Sequence, residues 1–323
     1  MTLQLQVRPF SFLLLQPLRT ATGVLLERRG WLLRFCDGDS GALGWGEVAP
    51  LRSEQWLHCQ TLLEDLPQEM SRDQLEALIH QGPGAFGFGL GAALAELDGL
   101  VGVHASQPWQ AAPPPAQLLP AGERMLLVLD QVLEQAPAKP LLTLKWKVAT
   151  EPDELERCWL EQLMRKLPAT AKLRLDANGG WDRATARSWL DALANDPRLD
   201  WLEQPLAIDD RAGLEQLAEI GPVALDESLE HQPVLREQWL GWQVRRPTVD
   251  GDPRPLLRAL QDGMAHRMVS TAFETGIGRR WLHHLAALQW HGPTPAAPGL
   301  APGWCPAGAL FSNDPAMVWQ AVS

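Results

Sequence analysis

Short apolar runs separated by polar breaks open the chain. From Leu3 to Pro50 they are interrupted at Gly30 and at the turn Asp37-Gly38-Asp39-Ser40-Gly41, a pattern that predicts an antiparallel meander. After Ser53 the spacing becomes helical, with Leu62, Leu63 and Leu66, then Leu75, Leu78 and Ile79, then Ala92, Leu94, Ala95 and Leu97 three or four apart. Gly87-Phe88-Gly89-Leu90-Gly91 has the glycine spacing of a dinucleotide loop, but no strand precedes it and a helix N-terminus fits better. Pro113, Pro114 and Pro115 then stiffen the chain and bar a helix, which places a domain boundary there. Beyond it, strand patterns at 141–148, 172–177, 201–206, 223–228, 242–247 and 267–272 alternate with helical stretches such as 153–167 and 183–193. That rhythm, repeating every 20–30 residues or so, predicts parallel strands joined by helices in a (β/α) barrel of the TIM type, with a doubly wound open sheet as the alternative. The Pro-, Gly- and Ala-rich stretch 293–306 reads as loop.

The 323 residues suit this division, since such a barrel takes roughly 200–250 residues and leaves about a hundred for an α+β domain. A net charge of −11 without a basic stripe argues against nucleic acid or an anionic membrane and points to a small-molecule ligand. Cys36, Cys59, Cys158 and Cys305 form no C-x-x-C pair, so neither a zinc knuckle nor a disulfide framework is expected and a reducing cytoplasm is. Phe12-Leu13-Leu14-Leu15 is too short for a signal peptide or a membrane span and reads as strand. With 15 tryptophans and no tyrosine, a tyrosine general acid is excluded.

Strand parity sharpens the chemistry, because alternate residues share a face. In Leu142-Thr143-Leu144-Lys145-Trp146-Lys147-Val148 the apolar residues must meet the outer helices, so Lys145 and Lys147 point into the barrel. The same parity turns Arg174, Asp176 and Asn178 inward, with Glu203 and Asp226 on the next two strands. Five ionisable groups would converge there, at a desolvation cost that a divalent cation relieves. Three carboxylates are the hard oxygen donors that Mg²⁺, or another such cation like Mn²⁺, prefers. Two adjacent ammonium groups would also depress each other's affinity for a proton, so that either lysine could act as a base near neutrality.

These residues resemble the enolase superfamily, in its muconate-lactonizing branch. The likeness rests on Lys145-Trp146-Lys147, Leu175-Asp176-Ala177-Asn178-Gly179-Gly180-Trp181, Glu203-Gln204-Pro205, Leu225-Asp226-Glu227-Ser228 and Trp45-Gly46-Glu47-Val48-Ala49-Pro50-Leu51. Leu119-Pro120-Ala121-Gly122, Arg246-Pro247-Thr248 and Val269-Ser270-Thr271-Ala272-Phe273-Glu274 make it most similar to the o-succinylbenzoate synthase family. The resemblance implies a modified (β/α) barrel over about 111–300, and an α+β capping domain over about 1–110 that also takes in about 300–323. It implies Mg²⁺ on Asp176, Glu203 and Asp226, Lys147 as the base, and Lys145 as a fixed charge. The small carboxylate substrate is expected near Arg174, Asn178, Ser270, Thr271 and Arg19, the last in a flap at 19–23.

One position departs from the family pattern. Arg246 stands where a sixth-strand lysine is usual, and an arginine that stays protonated cannot serve as a second base. Dehydration on one face of the substrate needs one base, whereas a racemase needs two. The alternatives are an N-acylamino acid or dipeptide racemase, a cycloisomerase, or a non-catalytic metal-binding scaffold. His266, His283 and His284 read as structural or surface residues.

Overall fold

The computed structural model describes residues 2–20, 23–103, 105, 108–135 and 142–322. The chain separates into two compact units, one made of 1–113, 246–265 and 269–323, the other of 114–245 with 266–268. The first cut falls inside the proline run. The segments 246–265 and 269–300, expected to belong to the barrel domain, cluster with the first hundred residues.

In the first unit, β1 (Thr2–Thr20), β2 (Gly23–Asp37), β3 (Leu43–Val48) and β4 (Glu69–Ser71) form an antiparallel sheet in the order β3-β2-β1-β4. Leu3, Leu5, Leu33 and Phe35 from this sheet are buried with Cys59, Leu63, Leu75, Leu90 and Leu94 from the helices Ser53–Glu64, Arg72–Leu78 and Gly84–Leu97. The glycine run at 87–91 lies within the last of these helices. Its glycines serve packing, since a Cβ on Gly46 of β3 would stand 2.0 Å from the carbonyl oxygen of Gly89. Backbone meets backbone there, with nothing flexible to give way. Gly46→Ala is therefore expected to destabilise the protein by about 1–3 kcal/mol through overpacking, read as a lower urea midpoint at unchanged slope.

The second unit is built on the parallel strands β5 (Gln117–Leu119), β6 (Thr143–Lys147), β7 (Lys172–Asp176), β8 (Leu199–Glu203), β9 (Val223–Leu225), β10 (Trp242–Arg245) and β11 (Arg267–Val269), adjacent in chain order. Together with the antiparallel domain, this is the architecture of a modified (β/α) barrel with an α+β capping domain. Leu144, Trp146, Leu173, Leu175, Leu202, Val223 and Leu225 pack in one cluster with Leu160, Leu163, Trp189, Leu190, Leu214 and Leu217 of the helices Asp153–Lys166, Arg183–Leu193 and Arg211–Ala218. Alternation thus puts Lys145, Lys147, Asp176, Trp201 and Glu203 on the opposite face, as the parity of the sequence predicts.

Strand ends differ from the sequence expectation for local reasons. β8 stops at Glu203 because Gln204 takes a left-handed conformation, φ 37°, and Pro205 follows. β9 stops at Leu225 because Asp226 starts the helix Glu227–His231. Three-residue β5, just after the prolines, is too short to show a period. Residue 141 lies outside the described residues.

Candidate active site

Cross-strand register assembles the polar face. Lys145 stands opposite Arg174, Lys147 opposite Asp176, and Asp176 opposite Glu203. Asp226 follows one residue beyond β9. Asp176, Glu203 and Asp226 are all buried.

The two lysines differ sharply. Lys145 Nζ lies 2.9 Å from Asp176 Oδ2 and 2.6 Å from Glu203 Oε1, so one ammonium is shared by two buried carboxylates. Lys147, half-buried and two residues along the same face, makes no hydrogen bond or ion pair among the described residues. Burial acts to lower the Lys145 pKa, but Asp176 and Glu203 outweigh it and hold the group above the ordinary lysine value. This corrects the expectation that either lysine is poised to lose a proton. Lys145 is held as an ammonium here, because its neighbours are carboxylates at contact distance.

The surrounding residues brace these groups. The side-chain oxygen of Gln204 accepts from the backbone N–H of Asp226 (3.2 Å) and of Ser228 (3.0 Å), while its amide nitrogen donates to Leu206 O and Ser228 Oγ. One buried amide thus ties the end of β8 to the start of the Asp226 turn. After Lys147 the chain passes through left-handed Ala149, and buried Glu156 accepts from the N–H groups of Ala149, Thr150 and Glu151. Sequence reading passed over both residues, although Gln204 sits inside the Glu203-Gln204-Pro205 motif.

Asn178 Nδ2 donates to Glu227 Oε1 (2.9 Å), and its backbone N–H donates to Asp176 Oδ1. Burial, reinforced by Asp176 and then Glu203, pushes the Glu227 carboxyl up to about 7. Arg174, expected among the substrate contacts, is instead wholly buried opposite Lys145. Its Nε donates to Asp200 Oδ2 (2.7 Å) and its guanidinium lies 3.9 Å from the ring centre of Trp201. Buried, paired and stacked, it is engaged by its protein neighbours.

The other unit holds the remaining expected residues. Arg246 is half-buried, one residue past β10, at the start of the short helix Pro247–Asp250. Ser270 bridges to Gly299, its hydroxyl donating to Gly299 O. Thr271 is corrected to a loop brace: its hydroxyl donates to Glu274 Oε2 (2.6 Å) and accepts from Phe273 N–H (2.8 Å). Of the flap at 19–23, residues 21 and 22 lie outside the described residues, and of Arg19 only the backbone, paired with Val24, is described. Two of the histidines read as structural or surface residues are engaged within the fold. His266 Nδ1 lies 3.1 Å from Leu240 O, and His284 is buried on the helix Gly276–Trp290.

Among the described residues no three acidic, histidine or cysteine side chains form a finished metal cage. What the site presents is a set of hard oxygen donors on adjacent strand ends, with excess negative charge around one ammonium. Such donors fit Mg²⁺ better than a soft or nitrogen-loving metal.

A free lysine beside a clamped one, set against carboxylates at the strand ends of a parallel β/α sheet, defines a proton-transfer enzyme. A family model described as Enolase C-terminal domain-like matches residues 129–239. An o-succinylbenzoate synthase of Thermosynechococcus vestitus is 35% identical over 294 residues, 87% of each chain. The solved o-succinylbenzoate synthase of Thermosynechococcus elongatus, complexed with Mg in its active site, superposes with a TM-score of 0.81 at 31% identity, covering 99% of this chain and 100% of that one. A hydrophobic dipeptide epimerase of a Flavobacteria bacterium is 37% identical over 112 residues, 33% of this chain and 29% of its own. The chain belongs to the o-succinylbenzoate synthase family of the enolase superfamily.

Proposed function

We propose that this protein catalyses the syn dehydration of 2-succinyl-6-hydroxy-2,4-cyclohexadiene-1-carboxylate to o-succinylbenzoate, a step of menaquinone and phylloquinone biosynthesis. Full-length similarity to o-succinylbenzoate synthases supports the reaction. The observation that carries the mechanism is the division of labour between Lys145, clamped by two carboxylates, and Lys147, free of partners among the described residues.

Asp176, Glu203 and Asp226 would hold Mg²⁺ or Mn²⁺, which when bound supplies positive charge against the ring carboxylate of the substrate. Lys147, as the neutral amine, takes the proton α to that carboxylate. Negative charge then spreads onto the carboxylate oxygens, and the Lys145 ammonium faces it without having to reorganise. The ring electrons expel the hydroxyl group, Lys147 returns its proton to it, and water leaves as the ring becomes aromatic. One base on one face is sufficient. Arg246 cannot be a second base, which sets this reaction above the epimerisation named for the dipeptide epimerase.

No helix among the described residues is long and apolar enough to cross a membrane; the cytoplasm is proposed as the place of this small-molecule chemistry. The test is direct. Ultraviolet absorbance of the cyclohexadiene substrate should fall in the presence of protein and Mg²⁺, stop with EDTA, and resume when Mg²⁺ is restored. Turnover that ignores the metal, or no turnover, would sink the assignment.

A further inference from the structure

Trp201 points to the polar side of the sheet. β8 carries one extra residue against β7: Leu173 pairs with Leu199, but Arg174 pairs with Trp201. A bulge of this kind re-aims the side chains around it. Here Leu199 joins the helix-facing cluster while Trp201 turns to the face of Glu203. Trp201 is fully buried, and its indole N–H donates to Glu203 Oε2 at 3.3 Å.

Glu203 is thereby held at both oxygens. Oε1 receives Lys145 and Oε2 receives Trp201, so rotation about the carboxylate axis would break one bond or the other. The indole is in turn fixed from several sides. The Arg174 guanidinium lies 3.9 Å from its ring centre, itself anchored by Asp200 at the bulge, and the Trp242 ring centre lies 4.6 Å away. A cation against the ring draws electron density from the indole and makes its N–H a better donor. An indole can donate and never accept, so the contact draws on an oxygen lone pair of Glu203 and is stronger when the group is a carboxylate.

We propose that Trp201 is a positioning residue for Glu203, with the bulge at Asp200 and the Arg174 cation holding its indole N–H so that the carboxylate is oriented toward a bound divalent cation. The inference rests on the reading of Glu203 as a metal ligand. Groups that orient a ligand from behind typically change metal affinity by about 10–100-fold when removed.

Trp201→Phe keeps an aromatic ring for Arg174 and Trp242 and removes the N–H. Calorimetric titration of the substrate-free protein with Mg²⁺ should give a Kd about 10–100-fold weaker than wild type, with kcat at saturating Mg²⁺ much less affected. A merely structural tryptophan would lower the thermal midpoint in EDTA and leave Kd alone. Glu203→Gln in the same titration separates the two claims. If Glu203→Gln loses Mg²⁺ while Trp201→Phe binds it as wild type does, the positioning role is overturned and the ligand role stands. If Glu203→Gln binds Mg²⁺ normally, the ligand role falls and the present inference falls with it. Should Trp201→Phe not fold, wild-type protein labelled with ¹⁵N-tryptophan offers a second reading: one buried indole N–H resonance should move on adding Mg²⁺. Failure of every indole resonance to move would overturn the proposal.

Discussion

Lys147→Ala is expected to lower kcat by roughly 10²–10⁴-fold, the range that a positioned general base contributes, and to leave the fold and the Mg²⁺ affinity near wild type. The stability half follows from the geometry. Lys147 is half-buried and makes no hydrogen bond or ion pair among the described residues, so truncating it strands no partner. The catalytic half follows from its place on β6, opposite Asp176 and one position in parity beyond Lys145. Lys147→Arg sharpens the test, because arginine retains the charge and cannot give up the proton. Both variants should be equally slow. An arginine variant with substantial turnover would show that the position supplies charge and that the base lies elsewhere. Transfer of deuterium from D₂O to the substrate's α carbon, if the wild-type enzyme shows it, should vanish in both variants.

The division between Lys145 and Lys147 shows where sequence reading stops. Parity alone places both lysines, Asp176 and Glu203 on one face, because Leu144, Trp146, Leu175 and Leu202 can only pack against helices. That rule is local and survives folding. Which lysine is clamped depends on the stagger of three strands, and no single strand carries that information. The same limit explains Arg174. Its parity is right, but its stacking against Trp201 follows from a bulge at Asp200 that apolar periodicity does not reveal. Thr271 was legible as a polar residue at a strand end, while its engagement by Glu274 depends on a turn three residues long. Segments 246–265 and 269–300 read as barrel repeats, whereas they fall in one compact unit with residues 1–113. The helix Gly84–Leu97 takes part in this, since a Cβ on Gly84 would strike the carbonyl of Val249. A long-range contact of small residues leaves no periodic trace.

Lys145→Met should make the stability of the fold depend on Mg²⁺. The Lys145 ammonium neutralises Asp176 and Glu203 at distances of 2.9 and 2.6 Å, with Glu203 wholly buried. Removing one partner from such a group leaves uncompensated buried charge, at a cost of about 3–5 kcal/mol. The sign agrees with the titration of the lysine. Its folded pKa is raised, so its contribution to stability is fully present below the unfolded lysine value of roughly 10.4, hence throughout the neutral range, and is lost only as pH rises through the folded value. In EDTA at pH 7.5 the variant should therefore melt well below wild type. Millimolar Mg²⁺ should narrow the gap, since a divalent cation on the same carboxylates replaces the lost charge and stabilises the native state by mass action. Acidification should narrow it as well, because protonating one carboxylate removes the repulsion. Turnover of the Mg²⁺-loaded variant should still fall by roughly 10²–10³-fold, the usual cost of losing one preorganised electrostatic contact at the transition state. A variant as stable as wild type in EDTA, or one whose deficit Mg²⁺ does not touch, would mean that Lys145 and the cation do not share these carboxylates. The division of roles between the two lysines would then have to be redrawn.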